Sequence, residues 1–378
     1  MLCSAAETCG GCRYRDLAET AYRDLKQSRF AETLSGISGS AYKINPPVFV
    51  KDGSRRRASM AFAIQKKQLV LGFNQEASHQ IINIENCPLL TPGINQVLPF
   101  VRQLLTAVCS EPYTEKKGKK SISRTISSGD VFICEADNGI DLVLEYDAPL
   151  ELSHRMTIFE MSQDSNNIIR ISHRRSPASE AETIIEKSKP FIKAGGYEVF
   201  IPAGTFLQPS GEGQEALAGL VLRYLSETKG RIADLFCGVG TFSYMLASLQ
   251  GVQITAVDSS APLLRGFQES LNRNQITNVK IINKNLFKYP LSADELKDFT
   301  AVVFDPPRAG AKAVCRELAA AESKPEIVVA VSCNPATFVN DANMLIAGGY
   351  DLQEVTMVDQ FIYSNHSELV AFFTKRQM

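Results

Sequence analysis

From Leu217 onward, short apolar runs alternate with helical stretches, and this alternation leaves few architectures open. The runs Ile232–Phe236, Gln253–Val257, Val279–Ile282, Ala301–Phe304 and Ile327–Val331 are compact and mostly apolar. Runs of this kind, spaced by helices, suit strands covered on both faces, so a parallel sheet flanked by helices is expected. The first half reads differently. Tyr14, Leu17, Ala21, Leu25, Phe30 and Leu34 recur at helical spacing over residues 14–35. From about Pro46 to Pro202 the chain turns strand-like, with Ser59–Ile64, Gln68–Phe73, Val131–Glu135 and Leu142–Tyr146 bounded by Gly, Asn and Asp. A helix from about Pro92 to Val108 interrupts this region, and Lys116-Lys117-Gly118-Lys119-Lys120 reads as a hairpin tip.

Composition narrows the class. A chain of 378 residues with 44% hydrophobic and 21% charged residues folds, and its length suits two or three domains. No apolar run approaches the ~18 residues of a membrane span. The opening Met1-Leu2-Cys3-Ser4 has neither a basic nor an apolar signal region, so a cytoplasmic protein is expected. Nine cysteines there suggest metal ligation or catalysis before disulfides. The net charge of −1 gives no overall basic character. Basic residues nevertheless cluster: Lys51 with Arg55, Arg56 and Arg57; Lys66 with Lys67; Lys116, Lys117, Lys119, Lys120 and Arg124; Arg174 with Arg175. Each cluster is either a phosphate contact or a solvated loop.

Four segments at strand ends carry chemistry. In Asp234-Leu235-Phe236-Cys237-Gly238-Val239-Gly240-Thr241, two glycines stand where a strand turns into a helix, so a ligand can approach the backbone closely. Ser243 occupies the place of the third glycine of a dinucleotide fingerprint. Asp258 ends the next run and is placed to accept from a ribose diol, which points to an adenosyl ligand. Asp305-Pro306-Pro307-Arg308 stops a further strand at the ligand edge of such a sheet. Cys333, in Ser332-Cys333-Asn334-Pro335, ends the fifth strand beside a helix start. It is either an inert thiol or a nucleophile whose proton a neighbour or the helix end helps to remove. Finally, His366 and Glu368 open a C-terminal strand and are candidates for proton transfer.

Cys3, Cys9 and Cys12 are separated by five and two residues, and Cys87 is followed by Pro88. Three close thiols with a distant fourth suit a four-thiolate site, either an iron–sulfur cluster or structural zinc.

Together these segments resemble the RNA 5-methyluridine methyltransferase family. The resemblance rests on Phe206-Leu207-Gln208, the glycine loop, Asp305-Pro306-Pro307-Arg308, Ser332-Cys333-Asn334-Pro335 and Asp359-Gln360-Phe361 leading to His366-x-Glu368. In the first half it rests on Cys3, Cys9, Cys12 and Leu71-Gly72-Phe73 running through Ser78-His79 to Cys87-Pro88. It implies a class I (Rossmann-like) α/β methyltransferase domain over 206–378, with a mostly parallel seven-stranded sheet. It further implies a β-rich α+β region over 1–205 that carries a cluster and binds RNA, with the helix near 14–45 packed on the catalytic domain. S-adenosyl-L-methionine is the implied donor, held by Gln208, Phe236, Gly238, Gly240, Thr241, Asp258, Asn285 and Asp305. Cys333 matches the family nucleophile and Glu368 the general base, while Cys3, Cys9, Cys12 and Cys87 match members with a [4Fe–4S] cluster.

The nearest resemblance is to enzymes that act on bacterial 23S rRNA and lack an N-terminal TRAM barrel. RNA, 23S rRNA or its precursor, is the expected partner, with no membrane and a monomeric state. The same chemistry on tRNA, or a non-catalytic RNA-binding role, are the alternatives. Three segments depart from the family pattern: Asn285 stands where an acid is often found, Tyr363-Ser364-Asn365 replaces Pro-His-Thr, and Asn340-Asp341 replaces Arg-Asp. Pro209-Ser210 after Gln208 is also unusual for the family.

Overall fold

The computed structural model describes residues 3–39, 41–118 and 120–377; Lys119 lies outside the described residues, as does the side chain of Lys117. The chain divides into two compact units. One comprises residues 3–15, Lys51–Ile192 and Ile201–Ser210; the other comprises Asp16–Val50, Lys193–Phe200 and residues 211–377. The chain therefore changes unit several times, rather than once at residue 205. Residues 16–50, with helix Glu19–Leu34, group with the unit that carries the glycine loop.

That unit is built on seven principal strands: β1 (Gly230–Leu235), β2 (Val252–Asp258), β3 (Val279–Asn283), β4 (Ala301–Phe304), β5 (Ile327–Ser332), β6 (Tyr350–Asp359) and β7 (Glu368–Lys375). Their spatial order is β3-β2-β1-β4-β5-β7-β6. The first five are mutually parallel, and β7 runs antiparallel between β5 and β6. Two short strands, Lys43–Ile44 and Val48–Phe49, add to β6, so the sheet has nine strands instead of the expected seven. Successive residues of a strand enter opposite cores, as the pleat requires. Val328 and Ala330 of β5 pack with Phe30 and Leu34, whereas Val329 and Val331 pack with Leu217 and Val221. Both faces are thus buried, which accounts for the near-continuous apolar runs.

The other unit holds a seven-stranded sheet in the order Glu182–Glu186, Ile168–Arg174, Gly139–Glu145, Ser128–Ala136, Arg57–Gln65, Gln68–Asn74 and Ile81–Asn83. Its neighbours are antiparallel except for Gly139–Glu145 with Ile168–Arg174. Helix Pro92–Ser110 lays Ile94, Val97, Leu98, Val101, Leu104, Leu105 and Val108 into the same core. The Thr91 hydroxyl accepts the Ile94 N–H at its start. Gly72 is dictated by close approach, because a Cβ there would lie 1.9 Å from the Ile82 carbonyl oxygen. An Arg170–Asp141 pair is buried in this sheet, with two hydrogen bonds of 2.7 and 2.8 Å. Among the described residues no helix is long and apolar enough to cross a membrane.

Candidate active site

The sheet order sets the site. Strands β1, β2, β4 and β5 end on one rim, and β7, being antiparallel, begins there. β1 ends at Leu235, and Phe236 leaves the strand with φ +61, a strained value for a residue with a side chain. Its ring lies 5.3 Å from that of Phe287. Gly240, at φ +87, precedes helix Thr241–Leu246, and a Cβ on it would fall 2.2 Å from the Phe267 ring. A Cβ on Gly238 would meet nothing within 4 Å, so that side of the loop backbone is approachable. Thr241 opens the short helix.

Three carboxylates surround this loop. The Asp258 oxygens accept the N–H groups of Gly238 at 3.0 Å and Ser260 at 2.8 Å, so Asp258 ties the end of β2 to the glycine loop. Asp234 is buried and accepts the Ser243 hydroxyl at 2.6 Å. Burial raises its carboxyl to about 7, against the Ser243 bond, and the charges of Asp305 and Asp258 add to the rise. The Asp305 N–H donates to the Leu235 carbonyl at 3.2 Å, which joins the ends of β4 and β1. Asn285, just past β3, turns its side-chain oxygen toward the N–H groups of Phe287 and Lys288 at 3.0 and 3.2 Å. In the place where an acid was expected, Asn285 thus shapes the turn that carries Phe287.

β5 ends at Ser332, which pairs with Leu369 of β7. Continued one step past the paired residues, this antiparallel register would set Cys333 opposite Glu368, and the Glu368 charge reaches the Cys333 thiol. Glu368 is buried at 2% exposure. The Cys333 thiol is pushed up to about 11, chiefly by burial and then by the charges of Glu368 and Asp305, with Arg308 acting in the opposite sense. Of the two readings left open for Cys333, burial among carboxylates outweighs the helix start, so the thiol form is favoured at rest. Asn334 caps helix Pro335–Ala347 and also donates to the Arg308 carbonyl at 3.2 Å, which ties the β4 and β5 loops together. An Arg308 guanidinium nitrogen lies 3.3 Å from His366 Nε2. The fold therefore brings Asp234, Asp258, Asp305, Cys333 and Glu368 to one rim. Sequence reasoning quoted Arg308 within a motif without assigning it a place in the site.

Gln208 belongs to the other unit. There its carbonyl accepts Arg56 Nε at 3.1 Å, and the Pro209 carbonyl accepts the Arg56 N–H at 2.8 Å. This bears on the three arginines of the first basic cluster; its fourth member, Lys51, is exposed. Arg56 is buried, Arg57 stacks 4.1 Å over the Phe206 ring, and Arg55 is partly buried with its Nε donating to the Arg57 carbonyl at 3.3 Å. These arginines brace the Phe206–Ser210 segment, so they are not presented to a phosphate backbone. Arg174 is likewise engaged, with Glu145 and the Phe132 ring. By contrast, Lys116 and Lys120 lie exposed on the hairpin Pro112–Lys117 with Lys120–Thr125, across which Arg124 pairs with Glu115.

The same unit holds Cys3, Cys9, Cys12 and Cys87, all partly buried. The Cys12 thiol is raised to about 12 by burial and then by Cys87, Cys9 and Cys3, against Arg15. Cys87 is also raised, by burial first, and feels Cys3 and Cys9. The four thiols therefore lie within electrostatic reach of one another. Cys9 accepts the Gly11 N–H at 3.4 Å, and Asn95 holds the Cys87 backbone through bonds of 2.9 and 3.0 Å. Among the described residues no three His, Cys, Asp or Glu side chains are grouped to hold a metal ion.

A family model described as tRNA (Uracil-5-)-methyltransferase matches residues 194–376. An uncharacterized RNA methyltransferase of Agrobacterium fabrum is 36% identical over 97% of this chain and 82% of its own length. One of Brucella melitensis is 37% identical over 99% and 84%. The 23S rRNA (uracil(1939)-C(5))-methyltransferase RlmD of Vibrio vulnificus is 28% identical over 99% and 82%. Among solved structures, the tRNA (uracil-54, C5)-methyltransferase of Pyrococcus abyssi, bound to S-adenosyl-L-homocysteine, superposes with a TM-score of 0.72 at 21% identity. It covers 97% of this chain and 85% of that one, a likeness of fold. With the matched motif segments on one rim and relatives above 30% identity along nearly its whole length, the chain belongs to the family of S-adenosylmethionine-dependent RNA uracil-C5 methyltransferases.

Proposed function

We propose that this protein methylates carbon 5 of one uridine in 23S rRNA through a covalent bond between the Cys333 sulfur and carbon 6 of the base. The observation that supports this reading is that the Glu368 charge reaches the Cys333 thiol where β5 ends and β7 begins. Carbon 5 of uracil is a poor nucleophile. Cys333 passes its thiol proton to solvent and its sulfur bonds to carbon 6, which moves electrons onto carbon 5 and the O4 carbonyl as an enolate. Carbon 5 then attacks the donor's methyl carbon, so a C5–CH3 bond forms as the S–CH3 bond breaks, and that bond's electrons stay on sulfur as S-adenosylhomocysteine leaves. Carbon 5 now bears both a hydrogen and a methyl group. Glu368 takes that proton, the C5=C6 bond reforms, and the Cys333 sulfur leaves as thiolate.

The donor carries positive sulfonium and ammonium charges. The carboxylates of Asp258 and Asp305 suit them, and the approachable face of Gly238 gives the donor room. Phe236, Gly240, Thr241 and Asn285 complete the proposed donor contacts. A stacked uridine is out of reach, so the RNA must release it at a cost of a few kcal/mol. The exposed Lys116–Arg124 hairpin supplies phosphate contacts that offset part of this cost.

Cys3, Cys9, Cys12 and Cys87 are assigned to one [4Fe–4S] cluster. Four mutually coupled thiols, with the Gly11 N–H on Cys9, form a donor set of the right kind. With all four ligands used, the cluster shapes the RNA-binding unit and leaves catalysis to the rim. The assignment to 23S rRNA follows the Vibrio vulnificus relative. The protein is taken to act as a cytoplasmic monomer.

The test uses labelled methyl donor and total cellular RNA. Cys333→Ala should abolish both product and covalent species. Glu368→Gln should stop after methyl transfer, giving a labelled protein–RNA adduct on a denaturing gel. Normal turnover by Glu368→Gln would overturn the base assignment. Label in tRNA would overturn the 23S assignment, and no label in any RNA would favour a non-catalytic RNA-binding role.

A further inference from the structure

Helix Glu19–Leu34 buries Tyr22, Lys26, Phe30 and Leu34 along a single stripe. Lys26 is a charge in an otherwise apolar or aromatic row, and only 4% of it is exposed. Its ammonium lies 2.9 Å from Oδ1 of Asp359, the fully buried last residue of β6. It also donates to the carbonyls of Ser364 at 3.1 Å and His366 at 2.5 Å, so all three of its donors are engaged. The Tyr22 hydroxyl donates to the other Asp359 oxygen and accepts the Tyr363 N–H at 2.9 Å. The Tyr22 and Tyr363 rings stand 4.9 Å apart, and Tyr363 is held at φ +58. Within the loop, Ser364 Oγ donates to the Phe361 carbonyl at 2.7 Å and accepts the His366 N–H at 3.1 Å. These contacts end on Asp359, the last residue of β6, and on the loop that follows it, and that loop delivers His366 and Glu368 to the rim.

A buried ion pair seldom adds net stability over an apolar pair of similar volume. Its value here lies in geometry: apolar side chains would fill the space but could not hold the Ser364 and His366 carbonyls. We propose that Tyr22, Lys26 and Asp359 form a buried clamp that positions the 360–367 loop, and with it Glu368, for removal of the carbon 5 proton. The three are positioning residues. The functional half of this inference rests on the role of Glu368 proposed above; the structural half does not.

The test compares wild type with Lys26→Met, the double variant Lys26→Met/Asp359→Leu, Tyr22→Phe and Glu368→Gln. The double variant restores an apolar core in place of the pair, so its thermal midpoint should return toward wild type. Both Lys26 variants should bind S-adenosylmethionine with unchanged Kd by calorimetry. Their turnover should fall by about 10–100-fold, the scale of a small misplacement of a reacting group. Like Glu368→Gln, they should accumulate labelled covalent adduct, and amide hydrogen exchange in 361–367 should quicken. A double variant that folds normally yet keeps the adduct defect separates positioning from folding. Should the Lys26 variants fail to fold, Tyr22→Phe, which loses only a hydroxyl, must show the same signs in milder form. Wild-type exchange over 361–367 in a folded clamp variant would overturn the clamp. Quickened exchange with wild-type turnover would overturn its part in catalysis. If Glu368→Gln itself formed no adduct, the base assignment would fall, while the exchange result would still decide the clamp.

Discussion

Replacing Glu368 by Gln should make Cys333 a more reactive thiol in the resting protein, even though it destroys catalysis. The Cys333 thiol stands at about 11, raised by burial first and by the Glu368 charge second. Near pH 7.5 such a group is roughly 0.03% thiolate, about a hundredfold below a thiol at its ordinary value of 9.0. Facing residues on antiparallel strands are about 5 Å apart. Two unit charges at that distance interact by roughly 0.8 kcal/mol in water and 3.3 kcal/mol at an effective dielectric constant of 20. At 1.36 kcal/mol per unit the lower figure is about half a unit, and since burial makes the larger part of the rise from 9.0 to about 11, removing the Glu368 charge should lower the thiol by about half a unit to one unit. The rate of iodoacetamide capture should therefore rise by about three- to tenfold. Because the wild-type pKa is raised, capture should increase with pH through the alkaline range, and the variant's profile should lie at lower pH. Arg308→Met should act in the opposite sense, because Arg308 favours the thiolate. Mass spectrometry of the peptide carrying Cys333 reads each rate despite the other cysteines. Superimposed wild-type and Glu368→Gln profiles would refute the coupling of the two groups.

Two further outcomes follow from the other unit. Replacing the exposed Lys116 and Lys120 by Ala should weaken RNA binding and reduce its salt slope by about 1.4, the value for two lost contacts to single strands. Arg56→Ala should instead leave the slope unchanged and lower stability by roughly 1–3 kcal/mol, because it strips a buried bond from the Gln208 carbonyl; equal slopes across all variants would move the RNA path elsewhere. Anaerobically purified protein should be brown, with iron and sulfide in about equal amounts, and Cys12→Ser or Cys87→Ser should lose both. One zinc per chain without visible absorbance would overturn the cluster assignment.

Local sequence accounts well for the elements and the strand-end chemistry. Apolar runs bounded by turn residues marked β1 to β5 to within a few residues, since strands buried on both faces need unbroken apolar stretches. The paired prolines after Phe304 and the glycines after Leu235 marked where β4 and β1 end, because each restricts or frees the backbone at that one place. The basic clusters were a poorer guide. Arg55, Arg56 and Arg57 look like Lys116 and Lys120 in a sequence, yet burial engages the arginines with carbonyls and a ring and leaves the lysines exposed.

Two properties came only from tertiary structure. The coupling of Cys333 and Glu368 depends on β7 inserting antiparallel between β5 and β6, a pairing of segments 35 positions apart that no local pattern specifies. The Lys26–Asp359 pair joins residues 333 positions apart. One trace of it was visible, a lysine four residues from Tyr22 and four from Phe30 on the stripe of a helix that ought to be apolar. Sequence alone determined which residues could do chemistry, because side-chain identity and backbone preference are local. Which of them meet, and whether a charge is solvated or clamped, was decided by packing between distant segments, because burial and partnership are properties of the folded neighbourhood.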